Sequence, residues 1–323
     1  MVQIKILSVN ISEKKGTEKL PVDNIELNEM GIVNDAHAGN WHRQVSLLGN
    51  ESIEKFNADT AAISGSYPQK TSAKNISYGK FAENITTQGF PLYKMNPLDR
   101  LVSGKVVLEV TQIGKKCHGG NCAVFKETGD CVMPKEGIFC RVLHGGMLRA
   151  GDILEYRPKT LRFKVITVSD RASSGEYPDK SGPLLQEAIY HYFTANNQNV
   201  SAELAVVPDE IPIISKMVKD CVNNHIDVVF TCGGTGIGPR DVTPEALKPM
   251  LDREMPGIVE YIRVKYGTEN PNALTSRAIA GVSGKTLIFA LPGSPKAVNE
   301  YSGEIFKTIL HSVKMLHGLD SHS

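Results

Sequence analysis

The sequence predicts two domains of different class: a mainly β barrel over residues 1–157, then a three-layer α/β/α unit with a mostly parallel sheet over residues 158–323. Three observations carry this prediction. The chain has 323 residues, about twice the usual size of one domain. Short β-branched runs punctuated by Gly, Asn and Pro fill the first half, whereas from Leu161 onward apolar runs alternate with segments of helical spacing. Between the halves, Arg157-Pro158-Lys159-Thr160 is a short polar break. A composition of 41% hydrophobic and 22% charged residues excludes a disordered or collagen-like chain, and 7% aromatic residues imply a mostly aliphatic interior. Lys+Arg 36 against Asp+Glu 35 gives a net charge of +1, so no global field draws the chain to nucleic acid or to an anionic membrane. Any anionic ligand has to be held by local geometry.

In the first half the predicted strands are Ile4 to Val9, Val45 to Leu48, Val106 to Ile113 and Asp152 to Tyr156. Helical periodicity is scarce there, which favours a barrel. The opening run alternates like a strand and is broken by Lys5, unlike the apolar stretch of a signal peptide. No window approaches the roughly 18 apolar residues of a membrane span. The expectation is a cytoplasmic protein with neither membrane nor nucleic acid among its partners. Cys117, Cys122, Cys131 and Cys140 crowd one stretch, while Cys221 and Cys232 sit in apolar runs and read as core. In a reducing compartment the cluster suggests thiol chemistry or metal before disulfides, although no C-x-x-C pair marks a zinc or iron–sulfur site.

In the second half Phe163 to Val168 reads as a strand, followed by a helix with Pro183 in its first turn and Leu184, Leu185, Ala188, Ile189 and Tyr192 on one face. Leu204 to Val207 is the next strand. Pro212 opens a helix carrying Ile213, Ile214, Met217, Val218, Cys221 and Val222. Val228 to Cys232 and Thr286 to Leu291 read as buried strands, and Pro295 begins a closing helix with Val298, Tyr301, Ile305, Ile309 and Val313 inward. In such sheets ligands sit at the loops after the carboxyl ends of the strands.

Those loops share a chemistry. The first contains Ser169-Asp170-Arg171 and Asp179-Lys180-Ser181-Gly182-Pro183, the second Pro208-Asp209-Glu210, and the third runs from Gly233 to Glu245. Gly233, Gly234, Gly236 and Gly238 let backbone N–H groups turn toward an anion, and Thr243-Pro244 supplies a helix start behind them. Taken singly, each loop is equally well a tight turn with capping aspartates. Together, Asp179, Asp209 and Asp241 are expected to converge beside a phosphate cradle, which suits a hydrated Mg²⁺. Gly284-Lys285-Thr286 is not a P-loop, because the position five before Gly284 is Ile279.

Along nearly all of residues 163–318, Val168-Ser169-Asp170-Arg171, Asp179-Lys180-Ser181-Gly182, Val207-Pro208-Asp209-Glu210, the 233–245 loop, Leu274-Thr275-Ser276-Arg277 and Leu291-Pro292-Gly293-Ser294-Pro295-Lys296 resemble the molybdopterin adenylyltransferases, the MogA/MoaB family. The resemblance implies an enzyme of molybdenum cofactor biosynthesis that transfers AMP from ATP to the terminal phosphate of molybdopterin with Mg²⁺, releasing pyrophosphate. It implies Asp209 and Asp241 as metal-holding catalytic carboxylates with Asp179 as a third, and Gly233, Gly234, Thr235 and Gly236 around the nucleotide phosphates. Ser181, Ser276, Arg277, Ser294 and Lys296 are implied in binding the substrates. A homotrimer through this domain and a downstream molybdenum-insertion protein are the implied partners. Residue by residue, the alternative readings are Ser294 as a helix cap, Arg277 as a surface ion-pair partner and Asp170 as a turn residue.

From about Ile4 to Tyr156, Asn34-Asp35-Ala36-His37-Ala38-Gly39, His42-Arg43-Gln44-Val45-Ser46-Leu47 and Phe81-Ala82-Glu83-Asn84-Ile85-Thr86-Thr87 resemble the MOSC domain. That resemblance implies a β barrel that binds a molybdenum pterin or carries sulfur, with Cys117 holding the metal or a persulfide, His37 and His42 as further candidates, and a cysteine desulfurase as sulfur donor. Lys115, Lys116 and His118 beside Cys117 favour its thiolate. Two rival functions follow from the same residues: a non-catalytic molybdopterin carrier, and a protein whose main chemistry is sulfur transfer through Cys117.

Overall fold

The computed structural model describes residues 2–64, 77–116 and 131–319, and the chain divides into two compact units, Met1–Lys159 and Thr160–Ser323. In the first unit the strands are β1 (Val2–Ile11), β2 (Leu20–Val22), β3 (Asn24–Asn28), β4 (Gly31–Ile32), β5 (Val45–Gly49), β6 (Ile85–Gln88), β7 (Arg100–Ser103), β8 (Val106–Ile113), β9 (Ile138–His144), β10 (Gly146–Arg149) and β11 (Ile153–Arg157). Seven of them close a barrel in the order β1-β11-β7-β8-β9-β5-β6, and β6 returns to β1. Only the β5–β6 step is parallel. Alternation makes β1 a barrel strand: Ile4 and Ile6 are fully buried and Lys5 is exposed. A register shift against β6 between Ile6 and Ser8 then brings Ser8, Val9 and Asn10 inside together. Ile25, Leu47, Ile85, Leu108, Val110 and Leu154 complete the aliphatic core.

Among the described residues the barrel unit also carries two helices absent from the sequence-based expectation, Asn50–Ser64 and the single turn Met133–Glu136. The longer helix has a faint period because residues 50–59 carry only two large apolar side chains, Ile53 and Phe56, which pack with Leu48 and Phe81.

In the second unit the strands are β12 (Thr160–Val168), β13 (Asn199–Val207), β14 (Val228–Cys232), β15 (Arg253–Glu254), β16 (Ile279–Ser283) and β17 (Thr286–Leu291). Their order is β13-β12-β14-β17-β16-β15, with the first four parallel and β16 and β15 antiparallel. Thr160 thus belongs to a strand and not to the polar break, and β13 starts five residues before the predicted Leu204. Gly284, at φ +58, makes the turn from β16 to β17. Every residue of β14 and β17 is buried, as a central parallel strand covered on both faces requires. Helices Ile211–Asn223 and Thr243–Leu247 pack Ile214, Val218, Cys221, Ala246 and Leu247 on one face, against Ile166, Val168, Val229 and Ile288. On the other, Phe163, Phe230 and Phe289 meet Phe193 of helix Ser181–Ala195 and Phe306 of helix Pro295–Leu316. The buried interior is mostly aliphatic, as composition predicts, with five of the few aromatic residues gathered in one cluster on that face.

Candidate functional site

A cleft of about 500 Å³ opens at the carboxyl ends of β12, β13 and β14, with Asp170, Asp179, Ser181, Asp209, Gly234 and Asp241 on its walls. A second hollow of about 280 Å³ is lined by Thr235, Gly236, Ser276, Ser294, Lys296 and Tyr301. The two share Gly234, Asp241 and Gly293. One elongated site with a common seam is the result.

The glycine loop has the geometry of an anion cradle. Gly233 and Gly234 adopt φ +116 and +62, in the left-handed region that glycine enters without strain. A Cβ on Gly233 would lie 2.2 Å from the Val168 carbonyl, so the loop packs directly onto the end of β12. The carbonyls are spoken for: Gly233 accepts from Thr243 Oγ1 at 2.8 Å, Gly234 from Thr243 N at 3.0 Å, Thr235 from Arg277 N at 2.8 Å and Gly236 from Arg277 Nε at 2.7 Å. Among the described residues nothing accepts from the N–H groups of Gly234, Thr235 and Gly236. Three successive donors are thereby left for a ligand.

The carboxylates divide into two kinds. Asp179 is saturated: Oδ1 accepts from Ser181 N at 3.0 Å and Gly182 N at 3.1 Å, and Oδ2 from Thr167 Oγ1 at 2.7 Å. It tethers the start of helix Ser181–Ala195, whose own cap residue Lys180 makes no side-chain cap bond. Asp209 and Asp241 each engage one oxygen, Asp209 Oδ2 with Asp170 N at 2.8 Å and Asp241 Oδ2 with Gly238 N at 2.8 Å. Among the described residues nothing donates to their Oδ1 atoms. Burial, reinforced by the negative charges of Asp170 and Asp241, pushes the Asp209 carboxyl above the usual carboxylate range. A cation beside it would relieve that penalty. Among the described residues no three His, Cys, Asp or Glu side chains stand close enough to make a protein-only metal cage. Two half-free carboxylates next to a phosphate cradle nonetheless suit Mg²⁺, which keeps waters and takes the rest of its ligands from phosphates.

The sequence alone leaves Asp170 open to reading as a turn residue and gives Arg240 no role, and the structure gives both one. Asp170 is more than a turn residue: its Oδ1 accepts from Asp209 N at 3.0 Å, making a reciprocal pair with Asp209. Arg240 grips Asp170 through Nε at 3.0 Å and Nη2 at 2.9 Å and reaches Glu210 at 2.9 Å, joining all three loops. That guanidinium holds the Asp170 carboxyl below the ordinary range. The Asp241 neighbour in sequence was the available hint to Arg240.

Arg277 lies outside the 280 Å³ hollow. Its guanidinium donates to the Gly236 and Asp241 carbonyls and to Glu245, stapling the glycine loop shut from behind. Ser181 Oγ donates to the Gly293 carbonyl at 2.6 Å and so fixes the seam. Ser294 both lines the hollow and caps helix Pro295–Leu316, accepting from Ala297 N at 3.2 Å. Lys296, largely exposed, stands 3.6 Å from Glu300. Cys232 forms part of the cleft floor, and burial pushes its thiol up to about 12, consistent with a core role.

In the barrel, Cys117, His118 and Cys122 lie outside the described residues. Cys140 is fully buried, which raises its thiol far above the usual range, and Cys131 is half-buried. Beneath the 34–39 segment Lys19 is buried with its Nζ 2.5 Å from Asp35 Oδ2 and 3.2 Å from His37 Nδ1. His37 stacks on Trp41, which also meets Arg43 at 5.0 Å and Lys15 at 5.3 Å. His42 contributes its carbonyl to Thr111 Oγ1.

The family description "Probable molybdopterin binding domain" matches residues 164–312, and "MOSC domain" matches residues 34–155. The chain is 37% identical over 161 residues to a molybdopterin adenylyltransferase of Helicobacter pylori, covering 50% of this chain and 90% of that protein. With the molybdopterin adenylyltransferase of Escherichia coli the identity is 39% over 142 residues, 44% of this chain and 71% of that one. Gephyrin of Dictyostelium discoideum is 40% identical over 159 residues, but the chain spans only 22% of its length. A solved structure, the tungsten cofactor synthesizing protein MoaB from Pyrococcus furiosus, aligns at 35% identity over 49% of this chain and 98% of its own, with a TM-score of 0.44.

Proposed function

The chain belongs to the molybdopterin adenylyltransferase family and carries a MOSC domain ahead of that unit, and from this we propose that its second unit transfers AMP from ATP to the terminal phosphate of molybdopterin. The observation that carries the proposal is the seam itself. Two hollows meet at Gly234, Asp241 and Gly293, with three unclaimed N–H donors and two half-free carboxylates at the junction. A bimolecular transfer between a nucleotide and a second phosphate-bearing substrate needs two adjoining pockets of this sort.

The chemistry asks little of side-chain bases. The attacking atom is an anionic oxygen of the molybdopterin phosphate; its bond to the ATP α-phosphorus forms as the α–β bond breaks and pyrophosphate leaves. No proton has to be removed first, so catalysis rests on in-line placement and on neutralising charge. Gly234, Thr235 and Gly236 N–H groups bind and orient phosphate oxygens. Asp209 and Asp241 are the residues that would hold Mg²⁺, which when bound offsets the charge of the polyphosphate. Asp170 and Arg240 hold Asp209 in place, and Arg277 keeps the loop closed behind it. Ser276, Ser294 and Lys296 bind the pterin substrate. In the same reading the unit assembles as a homotrimer in the cytoplasm and passes its product to a molybdenum-insertion protein. The barrel binds the pterin or its molybdenum form, or carries sulfur from a cysteine desulfurase on Cys117; joining the two raises the local concentration of a labile intermediate.

The test is pyrophosphate release and adenylyl-molybdopterin formation by the intact chain with ATP, Mg²⁺ and molybdopterin, beside Asp209→Ala and Asp241→Ala. The expected result is product from the parent and a loss of at least about 100-fold in each variant. Tight pterin binding by the parent with no product would instead make the protein a carrier.

A further inference from the structure

Tyr301 is only 2% exposed, yet it lines the 280 Å³ hollow. It is held on helix Pro295–Leu316, on the face that also buries Val298 and Ile305. Its sole hydrogen-bond partner among the described residues is Ser276 Oγ, at 3.4 Å. A phenylalanine would fill the same volume without a phenol to satisfy. The hydroxyl therefore reads as an addition to packing, and Ser276 shows what it adds.

Ser276 is fixed from three sides. Its carbonyl accepts from Arg263 Nη1 at 3.0 Å, its N–H reaches the Ala273 carbonyl at 3.3 Å, and its Oγ accepts from Ala278 N at 3.3 Å as well as from Tyr301. A serine hydroxyl has two acceptor sites and one donor. With its acceptor sites engaged by Ala278 and Tyr301, the Ser276 hydroxyl is left as a donor on the lining of the hollow.

We infer that Tyr301 is a positioning residue for the molybdopterin half of the site: by donating to Ser276 Oγ it holds Ser276 as a hydrogen-bond donor toward an acceptor atom of the pterin substrate. The inference rests on the function proposed above and adds a residue to it. Among the described residues neither Tyr301 nor Ser276 hydrogen-bonds the glycine cradle or the two carboxylates, so Tyr301 is assigned to binding of one substrate and not the other.

A four-protein comparison tests this: the parent chain, Tyr301→Phe, Ser276→Ala and the double variant, each measured for molybdopterin Kd by quenching of pterin fluorescence and for kcat and both KM values. Tyr301→Phe is expected to raise the molybdopterin Kd and KM about fivefold to tenfold, the worth of one well-placed hydrogen bond. Its kcat, its KM for ATP and its thermal midpoint stay at parent values. Because Tyr301 acts through Ser276, the double variant should bind no worse than Ser276→Ala alone. Parent-like binding by Tyr301→Phe, losses that multiply in the double variant, or an equal rise in the KM for ATP would each overturn the inference. A parent chain that does not bind molybdopterin would overturn the proposed function and this inference with it.

Discussion

A Cβ on Gly234 would lie 2.4 Å from Thr243 Oγ1 and 3.0 Å from Asp209 Oδ1, on a backbone already at φ +62. The position thus needs glycine twice over, for conformation and for room beside a carboxylate. Gly234→Ala is expected to raise the KM for ATP at least about tenfold and to cost about 1–3 kcal/mol of stability. Steady-state kinetics and thermal unfolding check both. Asp209 shows how closely such residues are interlocked: it crowds Gly234, its carboxylate accepts from Asp170 N–H while its own N–H donates to the Asp170 carboxylate, and through Asp170 it depends on Arg240.

Among elements, helix Ser181–Ala195 depends on a carboxylate that lies outside it. Because Asp179 is saturated by Ser181, Gly182 and Thr167, removing it releases two helix-end N–H groups. Asp179→Ala is expected to cost about 1 kcal/mol, a few degrees of thermal midpoint, and to leave adenylyl transfer within about tenfold of the parent. That outcome would separate it from Asp209→Ala and Asp241→Ala in the same assay. In the barrel, the segment after β4 is anchored by Lys19 and Asp35, both side chains fully buried. Burial opposes ionisation of Asp35, but hydrogen bonds from His37 and Lys19 outweigh it and hold the carboxyl below the ordinary range. A depressed folded value means that Asp35 stabilises the fold above its unfolded pKa of about 4 and that this contribution fades as pH falls below it. Asp35→Asn, which leaves Lys19 buried without its counter-charge, is expected to cost about 3–5 kcal/mol at pH 7. The gap between variant and parent should narrow toward pH 2. Urea unfolding followed by fluorescence of Trp41, the chain's one tryptophan, reads the barrel alone.

At the scale of the whole molecule, each unit has its own core and its own chemistry: an aliphatic barrel interior in Met1–Lys159, and a sheet covered on both faces in Thr160–Ser323. All residues assigned to adenylyl transfer fall in the second. Cys117→Ser is therefore expected to leave pyrophosphate release from ATP and molybdopterin unchanged while abolishing any persulfide or molybdenum pterin held by the barrel. Mass spectrometry of the intact protein and the transfer assay, run on one preparation, check the two halves of that statement. Loss of transfer in the variant would instead tie the two chemistries together.

Much was legible in the chain alone because it is written in local chemistry. Strand alternation in Ile4 to Val9, continuous apolar runs in Val228 to Cys232 and Thr286 to Leu291, and four glycines between 233 and 238 announced a barrel, a buried parallel sheet and a tight glycine loop with positive φ at Gly233 and Gly234. The helix Asn50–Ser64 was hidden because two large apolar side chains in residues 50–59, Ile53 and Phe56, make almost no period to detect. Strand β16 was hidden because Ala280 and Gly281 are small and neutral in pattern. Which member of a like-looking set does what was decided only by tertiary contact. Asp179, Asp209 and Asp241 are equivalent aspartates in sequence, but a carboxylate's role depends on how many of its oxygens the fold has already engaged, and those partners lie up to 39 residues away. Arg277 and Tyr301 follow the same rule. Sequence determines which groups the chain can bring, and packing determines which of their atoms are left unspent for a ligand.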